Sequence, residues 1–131
     1  MEIPEDFSSN EYWRSAAELI NHWILYQETR LLFQCVLSLG YSSKVQEIFR
    51  ERYGGDLKRL NSAKVHFSKK VDTEIEYFKK VCKAYKVEPI DRDWLYNNLQ
   101  NEETCRALRS KCRRRIFKGC PAKSLKEIIY H

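Results

Sequence analysis

The chain matches itself when it is shifted by 45 residues, and this internal repeat limits the possible folds more than any other property of the sequence. The clearest part of the match is a row of apolar positions that step by three, four and four residues in both copies. The two rows are Leu60-Ala63-Phe67-Val71 and Cys105-Leu108-Cys112-Ile116. Because such steps keep side chains on one face of an α-helix, each row predicts an apolar seam along a helix.

Two further landmarks align at the same offset and predict two helices ahead of each row. The aligned pairs are Phe33 with Phe78, Val36 with Val81, Val45 with Ile90, and Phe49 with Trp94. A good N-cap residue precedes each row, Asp56 in the first copy and Asn101 in the second. The pattern therefore predicts two units of three helices each. A single bundle of six or seven helices without duplication is the alternative interpretation.

The predicted fold class is all-α, with an N-terminal helix followed by the two three-helix units. The 131 residues include only four Gly and three Pro, which leaves few of the turns that an all-β fold requires. Apolar and aromatic residues recur at helical spacing from Tyr12 to Ile24, and we expect this stripe to pack as core. The expected segments are an N-terminal segment 1–27, a first repeat 28–72, a second repeat 73–120 and a C-terminal tail 121–131.

The second unit carries the residues of a recognisable pattern. It has a first helix that carries Glu74 and Glu76 in its first half and ends near Tyr85, a second helix with Trp94, and a basic third helix that includes Arg113-Arg114-Arg115. This order resembles the Myb/SANT and homeodomain-like family of helix-turn-helix repeats, including the divergent pairs of some telomere proteins. The resemblance covers roughly residues 28–118. It departs from regular Myb repeats because the first and third tryptophans are missing, and Cys112 stands near the position of the third.

The resemblance implies that the third helix of each unit inserts into the major groove of double-stranded DNA. With the apolar rows turned inward, the outer faces are polar and basic, so that small side chains permit close approach and cations reach phosphates or guanine edges. The candidate DNA-binding residues of the second unit are Arg106, Ser110, Lys111, Arg113, Arg114 and Lys118. Those of the first unit are Asn61, Ser62, Lys64, His66 and Lys69.

The charge distribution agrees with a polyanionic partner for the C-terminal half of the chain. Residues 1–55 carry five Lys/Arg and eight Asp/Glu, whereas residues 56–131 carry nineteen and ten. A solvated basic helix end or a nuclear localisation patch would produce the same arginine run. A SANT-like adaptor that binds a chromatin or nuclear protein without touching DNA is the alternative function, and a helical factor with no nucleic-acid role is a third.

Several functional classes are not expected from this sequence. No run reaches the roughly 20 apolar residues of a membrane span, and the acidic start lacks the basic region of a signal peptide. We therefore expect an intracellular, nuclear protein whose five cysteines are free thiols. No C-x2-C pair and no catalytic motif is present, so neither a metal, a cofactor nor enzyme activity is expected.

Overall fold

The computed structural model describes residues 10–38, 42–118 and 124–129. Within these ranges all regular structure is helical, which confirms the all-α class. The helices are α1 (Glu11–Leu37), α2 (Ser43–Tyr53), α3 (Leu57–Tyr85), α4 (Arg92–Asn98), α5 (Glu102–Arg115) and α6 (Leu125–Ile128), with a 3₁₀ turn at Ile116–Lys118 directly after α5. None of the helices in the described ranges has the length and apolar character that crossing a membrane requires.

Two long helices, α1 and α3, form an antiparallel hairpin that organises the molecule. At one end, the Tyr12 ring near the start of α1 lies 5.3 Å from the ring of Phe78 and 6.0 Å from that of Tyr85, near the end of α3. At the other end, the ammonium group of Lys64 lies 4.1 Å from the centre of the Phe33 ring. The short helix α2 contacts both long helices at this second end.

The core lies around the first half of α1, where the second half of α3 and the helices α4, α5 and α6 surround it. The aromatic stripe of α1 is buried there as expected: Tyr12, Trp13, Ala16, Leu19, Ile20, Trp23 and Ile24. Two hydrogen bonds lock the later helices onto the stripe. Trp23 Nε1 donates to the Leu99 carbonyl at 2.7 Å, and the Leu125 amide donates to the Tyr12 hydroxyl at 2.8 Å.

The local signals of the repeat agree with the observed helix ends. Asp56 accepts a hydrogen bond from the Lys58 amide at 2.9 Å, and Asn101 accepts one from the Thr104 amide at 3.1 Å, so both predicted N-caps are confirmed. The three-residue connections 54–56 and 99–101 lie 45 positions apart. Gly54 ends α2 in the left-handed conformation at φ 62°, where glycine has no Cβ penalty.

The two-unit arrangement itself is not confirmed and stays a prediction. The expected boundaries at 27/28 and 72/73 fall inside α1 and α3, and both helices run through them without a break. Neither helix contains a glycine or proline that would stop it, and their Leu, Lys and Glu residues favour helix. Within the described part of the expected tail 121–131, Leu125 and Ile128 are buried in the core.

The helices assigned to the first unit enclose less of their apolar surface than those assigned to the second. In the second row, Cys105, Leu108 and Cys112 are buried against α1 as predicted. In the first unit, Phe49, Leu60 and Val71 are buried, but several aligned positions are only half-buried: Phe33, Val36, Val45, Ala63 and Phe67. The single short helix α2 covers only part of this end of the hairpin, whereas α4, α5 and α6 together cover the other end.

Candidate nucleic-acid interface

The helix α5 presents a continuous exposed face opposite its buried seam. Ala107, Ser110, Arg113 and Arg114 are all exposed on this side. Arg113 and Arg114 form no ion pair within the part of the chain that the structure describes. The face therefore combines small residues, which allow close approach of another molecule, with two cations available to an anion.

The predicted residue Arg106 is already held by two carboxylates. Its guanidinium donates to Glu102 at 2.9 and 2.7 Å, and to Glu28 of α1 at 2.9 Å. The hydrogen bond to Glu102 is the main reason that the pKa of Arg106 is raised above its ordinary value. A phosphate would have to displace these partners, so Arg106 offers less attraction than its charge suggests.

The predicted residue Lys111 has a structural role as well. Its side chain is half-buried, and its ammonium group donates to the carbonyl of Ile128 at 3.2 Å, which ties α6 to α5. The backbone of Lys118 lies in the 3₁₀ turn, and its side chain lies outside what the structure describes. Of the six residues predicted in this unit, Ser110, Arg113 and Arg114 are thus the exposed ones for which the described ranges show no side-chain ion pair or hydrogen bond of this kind.

Two other arginines of α5 point toward α1 and do not join the exposed face. Arg109 donates to the side-chain oxygen of Asn21 at 2.7 Å, and burial followed by the nearby charge of Arg113 lowers its pKa. Arg115 lies over the Trp13 ring, 5.3 Å from its centre. Much of the basic character of this helix therefore serves its packing on α1.

The predicted residues of the first unit lie together on the first half of α3, with one exception. Asn61, Ser62, His66 and Lys69 line a shallow depression of about 320 Å³ together with Val65. All of these side chains are exposed. The exception is the half-buried Lys64, which instead packs over the Phe33 ring on α1.

The structure places the two predicted surfaces at different levels of the hairpin. The α3 surface lies near Phe33, at the level of the second half of α1, because Lys64 contacts that ring. The α5 arginines lie beside the first half, because their neighbours Arg109 and Arg115 contact Asn21 and Trp13. At 1.5 Å per helical residue, the surfaces are separated by about 25 Å along α1. A shared ligand would therefore have to be extended.

An apolar groove between α1, α2, α3 and α5 is a feature that the sequence did not predict. It has a volume of about 570 Å³, and its apolar lining includes Leu25, Leu31, Leu32, Val45, Ile48 and Phe67. Its rim carries the exposed cations Lys44 and Arg52. Leu31 is 52 % exposed, and Leu37 beyond it is 58 % exposed. The sequence held one indication of the groove, because Leu31 and Leu37 are apolar but do not belong to the aligned apolar positions of the repeat.

Comparison of the chain with known proteins gave no match to a family model, a curated protein sequence or a solved structure. The resemblance to Myb/SANT and homeodomain-like repeats therefore rests on the residue pattern of this chain alone.

Proposed function

We propose that this chain is a non-enzymatic double-stranded DNA-binding module that works in the nucleus, in a chromatin, telomere or transcription context. The observation that carries the proposal is the outer face of α5, where Arg113 and Arg114 are exposed beside the small residues Ala107 and Ser110 and have no ion pair with any described residue. Phosphate contacts from arginine supply most of the affinity of such modules, and their side chains also read guanine edges.

The surroundings of α5 support this role. Its seam of Cys105, Leu108 and Cys112 is buried, so the helix is held rigidly with its polar face outward. The preceding α4 and the three-residue connection 99–101 supply the helix-turn-helix order in which the second helix of the pair binds the major groove.

The exposed surface of α3 supplies a second contact in this proposal. Asn61 has the amide that recognises adenine in a major groove, and Lys69 can contact a phosphate. Both line the same depression. Because the two surfaces lie about 25 Å apart along α1, they would engage separate segments of one duplex. Linked contacts of this kind raise affinity through effective concentration.

The ion pairs of Arg106 and the hydrogen bond of Lys111 predict how much each basic residue of α5 contributes to DNA binding. Reversing the charge of Arg113 and Arg114 should weaken DNA binding more than changing Arg106, which already has two carboxylate partners, or Lys111, which holds α6. The sequence alone placed Arg114 on the outer face and the other three residues on its flanks, and it predicted that reversing the charge of Lys111 would abolish binding.

The first test is charge reversal on α5. The variant Arg113→Glu/Arg114→Glu is expected to bind a fluorescent 20-base-pair duplex at least about tenfold more weakly than the parent. Its melting temperature should fall only slightly, because both positions are exposed and the main cost is that of acidic side chains in the last turn of a helix. With about four phosphate contacts, the parent should lose roughly 100-fold in affinity between 50 and 200 mM salt. Fluorescence anisotropy at the two salt concentrations measures both effects.

The matched control is Lys80→Glu/Lys83→Glu, which makes the same change in formal charge at exposed positions of α3 outside the proposed surfaces. It should retain most of the binding. If both double variants lose affinity equally, the effect belongs to net charge and α5 is not the binding helix. If the α5 variant binds duplex DNA like its parent, the proposed function is wrong.

A protein-interaction adaptor is the second candidate, and the apolar groove favours it. A groove between helices with an exposed leucine on its wall has the shape that accepts the apolar face of a partner helix. In a SANT-like adaptor of a nuclear or chromatin complex, this groove and not α5 would carry the affinity.

The second test separates the two candidates on the same protein. Leu31→Asp/Leu37→Asp should leave duplex binding and the melting temperature almost unchanged, because both side chains are more than half exposed. For an adaptor, affinity capture from nuclear extract should recover partners that this variant loses and that Arg113→Glu/Arg114→Glu keeps. Partners that both variants retain would exclude the groove as their binding site.

A further inference from the structure

Three potential metal ligands meet where α1 packs against α3. Glu18 and His22 stand one helical turn apart on α1, and Glu74 faces them from α3. One ligand atom from each side chain lies within 4.8 Å of the other two. The closest described approach is 3.5 Å, between His22 Nδ1 and a carboxylate oxygen of Glu74.

The imidazole of His22 has an unsatisfied nitrogen at this position. Its Nδ1 atom is buried and has no hydrogen-bond partner within the described part of the chain. The 3.5 Å approach to Glu74 exceeds the usual 2.7–3.2 Å of such bonds. A buried polar atom without a close partner costs free energy, and within the described residues the nearest group recorded for this nitrogen is the Glu74 carboxylate at 3.5 Å.

We propose that Glu18, His22 and Glu74 bind one divalent transition-metal ion of the Zn²⁺ class. With bonds of about 2.0–2.1 Å, neighbouring ligand atoms of a tetrahedral zinc site lie about 3.4 Å apart, close to the observed 3.5 Å between His22 and Glu74. Imidazole with carboxylates suits zinc and its neighbours, whereas Mg²⁺ and Ca²⁺ prefer oxygen ligands alone. Glu18 is exposed, which leaves an entry path and room for a water ligand.

The spacing of cysteines and histidines along the chain gave no sign of this site, because its third ligand comes from a different helix. Bound metal would join α1 to α3 directly. An ion that binds only the folded chain stabilises it by mass action. The proposal is independent of the DNA-binding surface on α5, so either can fail without affecting the other.

The experiment is a titration of the full chain with Zn²⁺ by calorimetry, under reducing conditions and with a parallel melting curve. The parent should bind one ion per chain, and its melting temperature should rise by about 10 °C at a free zinc concentration 100-fold above Kd. His22→Gln and Glu74→Gln should bind at least tenfold more weakly. His66→Gln, which changes an exposed histidine outside the site, should bind like the parent.

Two further measurements keep the test decisive. Because thiols also bind zinc, a Co²⁺ spectrum identifies the ligands: intense thiolate charge-transfer bands would assign binding to cysteine and overturn the proposal. Glu18→Gln changes an exposed residue and should fold normally, so it tests the site even if the His22 variant is unstable. The absence of saturable binding, or parent-like affinity in Glu18→Gln and Glu74→Gln, would also overturn it.

Discussion

Replacing Trp23 with alanine is expected to destabilise the protein by about 3–5 kcal/mol, a large part of the stability of a typical domain. The side chain is completely buried in the middle of α1. Its ring lies 5.7 Å from that of Tyr26 and 5.0 Å from that of Tyr96. Its indole nitrogen also donates to the Leu99 carbonyl, so alanine would leave both a cavity and a lost hydrogen bond.

Urea unfolding followed by circular dichroism measures this loss. Trp23→Phe keeps most of the ring volume but removes the N–H donor, so it should cost less than alanine and report mainly the hydrogen bond. Phe117→Ala removes an aromatic ring that is 92 % exposed and should change the free energy of unfolding by less than about 0.5 kcal/mol. A Trp23→Ala protein within 1 kcal/mol of the parent would contradict the described core.

The helix ends and buried seams were predictable because their causes are local. An N-cap acts within a few residues, so Asp56 and Asn101 could be identified from the chain alone. Helical periodicity likewise predicted the inward side of α5, where Cys105, Leu108 and Cys112 are buried. Both signals depend on neighbouring residues along the chain and not on the rest of the fold.

The continuity of α1 and α3 was not predictable from the same signals. The self-match suggested boundaries within both helices, but no residue there interrupts a helix. Whether two adjacent helical segments bend apart or continue straight depends on what packs against them. Here each long helix is the main partner of the other, which favours two straight helices over two separate small units.

The sequence predicted the exposed residues of the candidate site, but it did not predict their partners on other helices. Helical periodicity placed Ser110 and Arg114 on the outer face and Arg113 on its flank, and all three are exposed. It could not show that Arg106 pairs with Glu28, a residue 78 positions away, or that Lys111 contacts the carbonyl of Ile128. Such pairings depend on tertiary packing, which also formed the apolar groove and brought Glu74 to His22.

Stability is expected to fall steeply above about pH 9, because three of the four cysteine thiols in the described ranges are buried in the core. Burial raises the pKa of Cys82 to about 12, that of Cys105 to about 11 and that of Cys112 to about 12. The same thiols in an unfolded chain titrate near pH 8.5. Their contribution to stability is therefore complete below pH 8.5 and is lost as the pH rises toward 11 and 12, since the unfolded chain releases its protons first.

Each thiol should lower the free energy of unfolding by about 2 kcal/mol at pH 10 relative to pH 7.5. Urea unfolding of the reduced protein at several pH values measures the slope of the free energy of unfolding against pH. The series stops at pH 10, because the tyrosines of the unfolded chain become mostly ionised above that pH. Cys112→Ala removes one titrating group, so its slope should be about two thirds of that of the parent. The control Cys35→Ala changes an exposed thiol on α1 and should leave the slope unchanged. If the stability of the parent does not depend on pH up to pH 10, the three thiols are not buried as described.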